Sequence, residues 1–297
     1  AAVTGAVSGE EPEYTVTRSG SSEDAGTYTI NVTADADKNS NYSITAVAGT
    51  FTIKQASLTI TVDSDSIVYG EDTPSFTGTA TGLQFSDDLV NSSFKLDGDY
   101  TGTLAAGTYK ITYEPETDSA IYKNYKYKVT KGTLTVAKRP VTITADNKGK
   151  VYGTTADPDL TWDITSGTLA SADTSSKSSL VTGITRTTGE DAGTYPITVK
   201  AATTGIAANY DITTVDGTFT ISRKALILKA DAIEAIYNQP EKDLTYKVYE
   251  ADGTTEYTPS SALDVELSRA AGTDVGKYKI SVALGDNPNY SITASGN

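Results

Sequence analysis

The sequence predicts an all-β protein made of tandem small modules, and three observations predict it. A short phrase recurs four times: Ala25-Gly26-Thr27-Tyr28-Thr29-Ile30, Ala106-Gly107-Thr108-Tyr109-Lys110-Ile111, Ala192-Gly193-Thr194-Tyr195-Pro196-Ile197 and, more loosely, Val275-Gly276-Lys277-Tyr278-Lys279-Ile280. Its tyrosines stand 81, 86 and 83 residues apart, too far for a solenoid unit and suited to small independent domains. Between the phrases the apolar residues alternate with period 2, and no segment sustains a helical period. The expectation is an elongated array of β-modules.

Each element follows in the same phase. The first strand is an alternating run, Leu58 to Val62, Val141 to Ala145 and Leu226 to Ala230. In the earliest of these Leu58, Ile60 and Val62 share one face, with Thr59 and Thr61 on the other. Threonine suits the outward face because it is β-branched yet polar. A Tyr-Gly element comes next, Val68-Tyr69-Gly70 and Val151-Tyr152-Gly153; the last copy has Ile236-Tyr237-Asn238, where loss of the glycine is expected to change the turn. The stretch from Leu169 to Leu180, rich in Ser, Thr and Asp, is a short helix at most. After the Ala-Gly-Thr-Tyr strand comes an Asn-Tyr pair, Asn41-Tyr42, Asn124-Tyr125, Asn209-Tyr210 and Asn289-Tyr290. A closing strand completes the cycle as Gly49-Thr50-Phe51-Thr52-Ile53, Gly132-Thr133-Leu134-Thr135-Val136 and Gly217-Thr218-Phe219-Thr220-Ile221.

This phase sets the domain boundaries. Residues 1–55 are the C-terminal part of a truncated repeat, 56–138 and 139–223 are whole repeats, and 224–297 is a repeat without its last strand. The joints Lys54-Gln55, Ala137-Lys138-Arg139 and Ser222-Arg223-Lys224 are too short to act as flexible coil. Methionine is absent throughout, so the chain reads as a piece of something longer.

The Asp-x-Gly-x-Tyr sequence around Asp191 and Tyr195 suggests a tyrosine corner, in which a tyrosine hydroxyl turns back onto upstream backbone in an immunoglobulin-like sandwich. Asp24 with Tyr28 and Asp274 with Tyr278 repeat it, while Tyr109 has Ala105 in place of the acid. Two residues past each tyrosine stands an isoleucine, a core position without a disulfide. An Ig-like β-sandwich is therefore favoured, with a β-grasp-like fold, the Leu169 to Leu180 stretch crossing its sheet, as the alternative.

Taken together, Tyr69-Gly70 with Pro74-Ser75-Phe76-Thr77, Tyr152-Gly153 with Pro158-Asp159-Leu160-Thr161, the Ala-Gly-Thr-Tyr strand, Asn-Tyr and Gly-Thr-Phe-Thr-Ile resemble the MBG domains of the YGX type. That resemblance covers the whole chain. It implies tandem repeats of a large bacterial surface or secreted protein, adhesins included, and brings no catalytic residues.

Composition narrows the chemistry. The formal charge of −14 and pI near 4.4 repel nucleic acid and anionic lipid. No apolar run approaches the ~20 residues of a spanning helix. With no His and no Cys, a Ser-His-Asp or Cys-His nucleophile and the usual zinc ligands are missing, and no enzyme activity is expected. No cofactor is expected either. The weak calcium candidates are Asp35 and Asp37, and Asp63 and Asp65, whose oxygens alternate along loops; solvated turn residues are the plainer reading. Absence of Cys and Met is compatible with an extracellular place, on a bacterial surface or secreted.

Two spots stand out as binding candidates. Tyr122, Tyr125 and Tyr127 crowd one strand with Lys123, Lys126 and Lys128, a basic aromatic strip in an acidic chain. Trp162, the single tryptophan, occupies a position held by Gly78 and Tyr246 in the sister copies. Local packing is the plainer reading of both. Lys229, in a first strand, is where an internal isopeptide bond would be sought. The sequence thus leads to non-catalytic stalk or spacer repeats displaying a distal functional region, with neighbouring repeats of the same chain as partners. The alternative is an adhesive module that recognises host glycan or protein.

Overall fold

The alternating run at the head of the second copy forms the strand Ala56–Val62, with Leu58, Ile60 and Val62 buried and Ser57, Thr59 and Thr61 in solvent. This leading strand pairs in parallel with Tyr125–Thr130 and antiparallel with Gly78–Thr81. The chain then crosses to a second sheet, ordered Asp65–Val68, Gly132–Ala137, Gly107–Tyr113, Phe94–Leu96. Its first pair is parallel and the other two antiparallel. Ile111, Tyr113, Leu134 and Val136, each at most 3 % exposed, provide the buried side chains of this sheet. Full burial stabilises by about 1.5–3 kcal/mol per such side chain. Two small sheets with one apolar core between them make the copy a sandwich, and the expectation of an all-β array of small modules is borne out.

The computed structural model describes residues 1–295, in two units whose boundary falls between Lys138 and Arg139. In the first unit the second copy is preceded by a three-stranded sheet, Tyr14–Arg18, Gly26–Ala34 and Gly49–Ile53. No large apolar side chain of residues 1–55 is buried, and Val16 and Phe51 are 48 % and 42 % exposed. The leading strand, which buries Leu58, Ile60 and Val62 in the second copy, has no counterpart among these residues. Without that parallel partner the segment from Tyr42 forms no strand.

The second unit repeats the whole pattern in Arg139–Ala145, Lys148–Val151, Trp162–Ser166, Val181–Arg186, Gly193–Ala201, Tyr210–Val215 and Gly217–Ser222. The core of copy three includes Val141, Ile143, Leu180, Ile197, Val199, Tyr210, Phe219 and Ile221. The last copy keeps one sheet, Tyr246–Glu250, Lys224–Ala230 and Tyr290–Ser295, and reduces the other to Val265–Arg269 with Ile280–Leu284. In copies one to three the corner strand starts at its glycine, which pairs with the closing strand. Among the described residues the last copy has no closing strand, and its pairing begins only at Ile280.

Three local outcomes have simple causes. Ser171–Leu180 is a 3-10 helix interrupted at Ser176 (φ −110°, ψ 19°), as its Ser, Thr and Asp content predicts. The Tyr-Gly turn does not change in the last copy: Asn238 takes φ +62° where Gly70 and Gly153 take +86° and +84°. All three turns close with the same bond, from Glu71, Thr154 and Gln239 N–H to the carbonyl three residues back, at 3.0 Å. Asparagine tolerates this left-handed backbone better than other side chains do. At Gly132 and Gly217, finally, an added Cβ would stand 2.1 and 2.6 Å from the carbonyls of Asp63 and Ala145, so the backbone at the exit of the leading strand leaves no room for a side chain there.

Candidate functional site at the joints between copies

All four corner tyrosines turn their hydroxyls onto the carbonyl four residues upstream. Tyr28 donates to Asp24 O at 2.7 Å, Tyr109 to Ala105 O and Tyr195 to Asp191 O at 2.8 Å, and Tyr278 to Asp274 O at 2.7 Å. Because the acceptor is backbone, Ala105 serves as well as aspartate. The aspartate side chains have a different task. In the first unit Asn124 of copy two reaches back to copy one: its Nδ2 donates to Asp24 Oδ1 at 2.9 Å, and its Oδ1 accepts from Ala25 N at 2.8 Å. In the second unit Asn289 of copy four clasps copy three identically, at 2.9 Å to Asp191 Oδ1 and 2.7 Å from Ala192 N. The Asn124 hydrogen bond first, and that from Ser22 second, hold the Asp24 carboxyl below the usual carboxylate range.

The Tyr-Gly turn serves the same joint. In the second unit Tyr152 fixes its N–H on Ser222 O at 2.8 Å, at the end of the closing strand. Its ring packs against the core of the next copy, edge-on to Tyr290 at 5.3 Å, and its hydroxyl lies 3.1 Å from Ser260 Oγ. Tyr257 flanks the same cluster under the ammonium of Lys224, which also pairs with Glu250 at 3.0 Å. The chain between copies is short: Lys54-Gln55 separates Ile53 from Ala56, and Arg223 alone separates Ser222 from Lys224.

The other sequence candidates scatter. Tyr122, 46 % exposed, does not share a strand with Tyr125 and Tyr127; it lies on the helix Ala120–Asn124, which Ser119 caps by accepting from Tyr122 N at 3.2 Å. Tyr125 is buried, donating to Asp87 Oδ2 at 2.6 Å and accepting from Gln84 N at 2.8 Å. Tyr210 repeats this with Asp173 at 2.8 Å and Ala170 N at 3.0 Å. Tyr127 is half-buried, and Lys126 and Lys128 point to solvent. Trp162, half-buried, opens its strand with the Lys177 ammonium 5.1 Å from its ring. Its counterpart Gly78 faces the Phe94 ring, 2.6 Å from where a Cβ would stand.

The acids of the calcium candidates hold turns. Asp35 Oδ1 accepts from Asp37 N and Lys38 N at 3.1 and 3.3 Å. Asp65 Oδ1 accepts from Ser66 N at 2.7 Å. Asp63 Oδ2 accepts from Thr77 Oγ1 at 2.7 Å while its N–H donates to Thr77 O at 2.9 Å, a staple repeated by Asp146 with Thr161 and Asp231 with Thr245. Among the described residues no three acids gather as a metal site would require. Lys229 spends its ammonium on Gly253 O at 2.8 Å and on the Tyr249 ring at 4.8 Å.

Sequence reasoning missed a recurrent arginine. Arg18, Arg186 and Arg269 lie over the corner tyrosines at 4.9, 5.6 and 4.7 Å, contacts that add about 0.5–1 kcal/mol at exposed sites. The signal was present, an Arg nine or ten residues before three of the four tyrosines. In copy three it anchors an ion network. Asp157 takes Arg186 Nε at 2.6 Å and Lys150 Nζ at 2.8 Å, and Glu190 takes Arg186 Nη2 at 2.6 Å and Lys150 Nζ at 2.5 Å. Arg186 and then Lys150 hold the Asp157 carboxyl down at about 2.

Comparison with known proteins matches one domain family, MBG domain (YGX type), over residues 1–52, 58–135, 141–220 and 226–297. No curated protein sequence matches the chain. Among solved structures, the Drosophila N-cadherin EC1-4 crystal structure aligns at 10 % identity, covering 91 % of this chain and 83 % of that one, with a TM-score of 0.23.

Proposed function

We propose that this chain, which belongs to the MBG domains of the YGX type in four tandem copies, is a non-catalytic spacer in an extracellular bacterial protein. Its task would be to hold a distal functional region away from an anchoring surface. The observation that carries this reading is the asparagine clasp, Asn124 on Asp24 and Ala25, Asn289 on Asp191 and Ala192. A clasp across a joint of one or two residues costs a domain nothing in its own core, and its use is to limit bending. The absence of His and Cys from the sequence supports the non-catalytic part, and the absence of Cys and Met suits an oxidising exterior.

Small-angle scattering on the 297-residue chain tests the spacer. A compact globule of this length has a radius of gyration of roughly 19 Å. The spacer reading expects a value well above that, increasing in scatter when Asn124 and Asn289 are both changed to alanine. A radius near the compact figure would overturn it.

A further inference from the structure

Copy two departs from its sisters at the end of its edge strand, and a groove opens there. In copies one, three and four the edge strand ends on an arginine opposite the isoleucine two residues past the corner tyrosine: Arg18 with Ile30, Arg186 with Ile197, Arg269 with Ile280. In copy two that register position, opposite Ile111, belongs to Leu96. Ten residues separate Leu96 from Gly107, against six between Arg186 and Gly193 and six between Arg269 and Gly276. The longer excursion carries Asp97, Gly98, Asp99 and Tyr100. The Tyr100 ring meets Tyr109 edge-on at 5.0 Å, taking the neighbour's role that a guanidinium takes elsewhere. Between this excursion and the segment Thr73 to Phe76 lies an open groove of about 770 Å³, a size suited to a small ligand.

The lining selects the ligand chemistry. Tyr100 is 47 % exposed, so its ring remains open to a ligand on the side away from Tyr109. Gly98, at φ +143°, lies so close that a Cβ there would stand 3.0 Å from the Tyr100 ring. The same groove is lined by groups that bond hydroxyls, among them Asp99, Asn91, Ser92 and Thr112. Strong net charge is not on offer, because Glu114 is paired with Lys95 and Asp97 with Lys131. Nor is a peptide edge: the bordering strand Phe94–Leu96 has three residues, Phe94 N–H is spent on Asn91 O, and Leu96 O already accepts from Gly98 N at 3.1 Å.

We infer that the groove of copy two binds an uncharged oligosaccharide. The C–H face of a pyranose ring stacks on Tyr100, and its hydroxyls bond to Asp99 and Asn91. The site is a property of this copy, since Arg186 and Arg269 occupy the corresponding place in copies three and four.

A glycan array carrying neutral and acidic oligosaccharides, probed with the 297-residue chain and followed by titration of the best neutral hit, tests it. Neutral glycans are expected to bind. Tyr100→Ala should weaken them at least tenfold, Asp99→Asn several-fold, while Tyr100→Phe and Tyr127→Ala leave binding within a factor of two. Asp99→Asn touches no buried group, so it remains decisive if Tyr100→Ala disturbs the Tyr109 corner, which thermal melting of each variant reports. Absence of neutral-glycan binding overturns the inference. So does binding indifferent to Tyr100→Ala and Asp99→Asn, or preference for acidic glycans.

Discussion

At the scale of single residues, the tyrosines divide into two kinds that sequence alone did not separate. Tyr195 sits half in solvent with one bond to a backbone carbonyl, whereas Tyr210 is 3 % exposed and both donates to Asp173 and accepts from Ala170. Removing a hydroxyl whose partners are buried costs about 1–3 kcal/mol; where water can replace it the loss falls to roughly 1 kcal/mol or less. Tyr210→Phe should therefore lower the denaturant midpoint of copy three clearly, and Tyr195→Phe only slightly, both followed by fluorescence of Trp162, the sole tryptophan. An equal effect of the two would mean that the Asp173 contact adds nothing. The repeat phase made each of these tyrosines visible, but phase cannot report burial. Nor could it show that Asp24 and Asp191 answer to asparagines 100 and 98 residues away. The Asn-Tyr pair reads naturally as a mark inside one module, and only the register of the parallel strands brings its asparagine to the neighbour's corner.

At the scale of elements, the strands were legible because alternation alone specifies them, and the joints were not. Tyr122 was read into a strand because lysines and tyrosines alternate across it; the Ser119 cap starts a helical turn there instead. Two predictions belong here. Asn289→Ala removes both clasp bonds, and hydrogen exchange at the Ala192 amide should quicken on the order of tenfold with the core amides of copy three unchanged; an unchanged Ala192 would show that the clasp does not hold the joint. The second concerns acid. Arg186 and Lys150 depress Asp157 to about 2 in the folded protein, below the ~3.9 of an unfolded aspartate. A depressed carboxyl contributes stability above the unfolded value and loses it as pH falls through the folded one. Copy three should accordingly weaken between about pH 4 and pH 2, and Asp157→Asn should flatten that part of its pH profile. A profile identical to that of the wild type would assign the acid sensitivity to other carboxylates.

At the scale of the whole molecule, the copies differ in completeness, and their stabilities should differ with it. Residues 1–55 bury no large apolar side chain, while copies two and three each enclose a full core. Circular dichroism, which sees every strand, is expected to decline at lower denaturant than Trp162 fluorescence, which sees copy three alone. Coincident transitions would mean that the copies unfold as one. The parallel pairing of the closing strand with the strand that runs into the Tyr-Gly turn carries a mechanical consequence. In copy three Lys148–Val151 lies parallel to Gly217–Ser222, and in copy two Asp65–Val68 lies parallel to Gly132–Ala137. Tension applied to the chain pulls the first member of each pair toward the N-terminus and the second toward the C-terminus, so adjacent strands are dragged past one another along their length. The hydrogen bonds between them are then loaded in shear and must fail together rather than peel one at a time. Each whole copy is in effect a lap joint, strongest in the direction in which its own chain would be stretched.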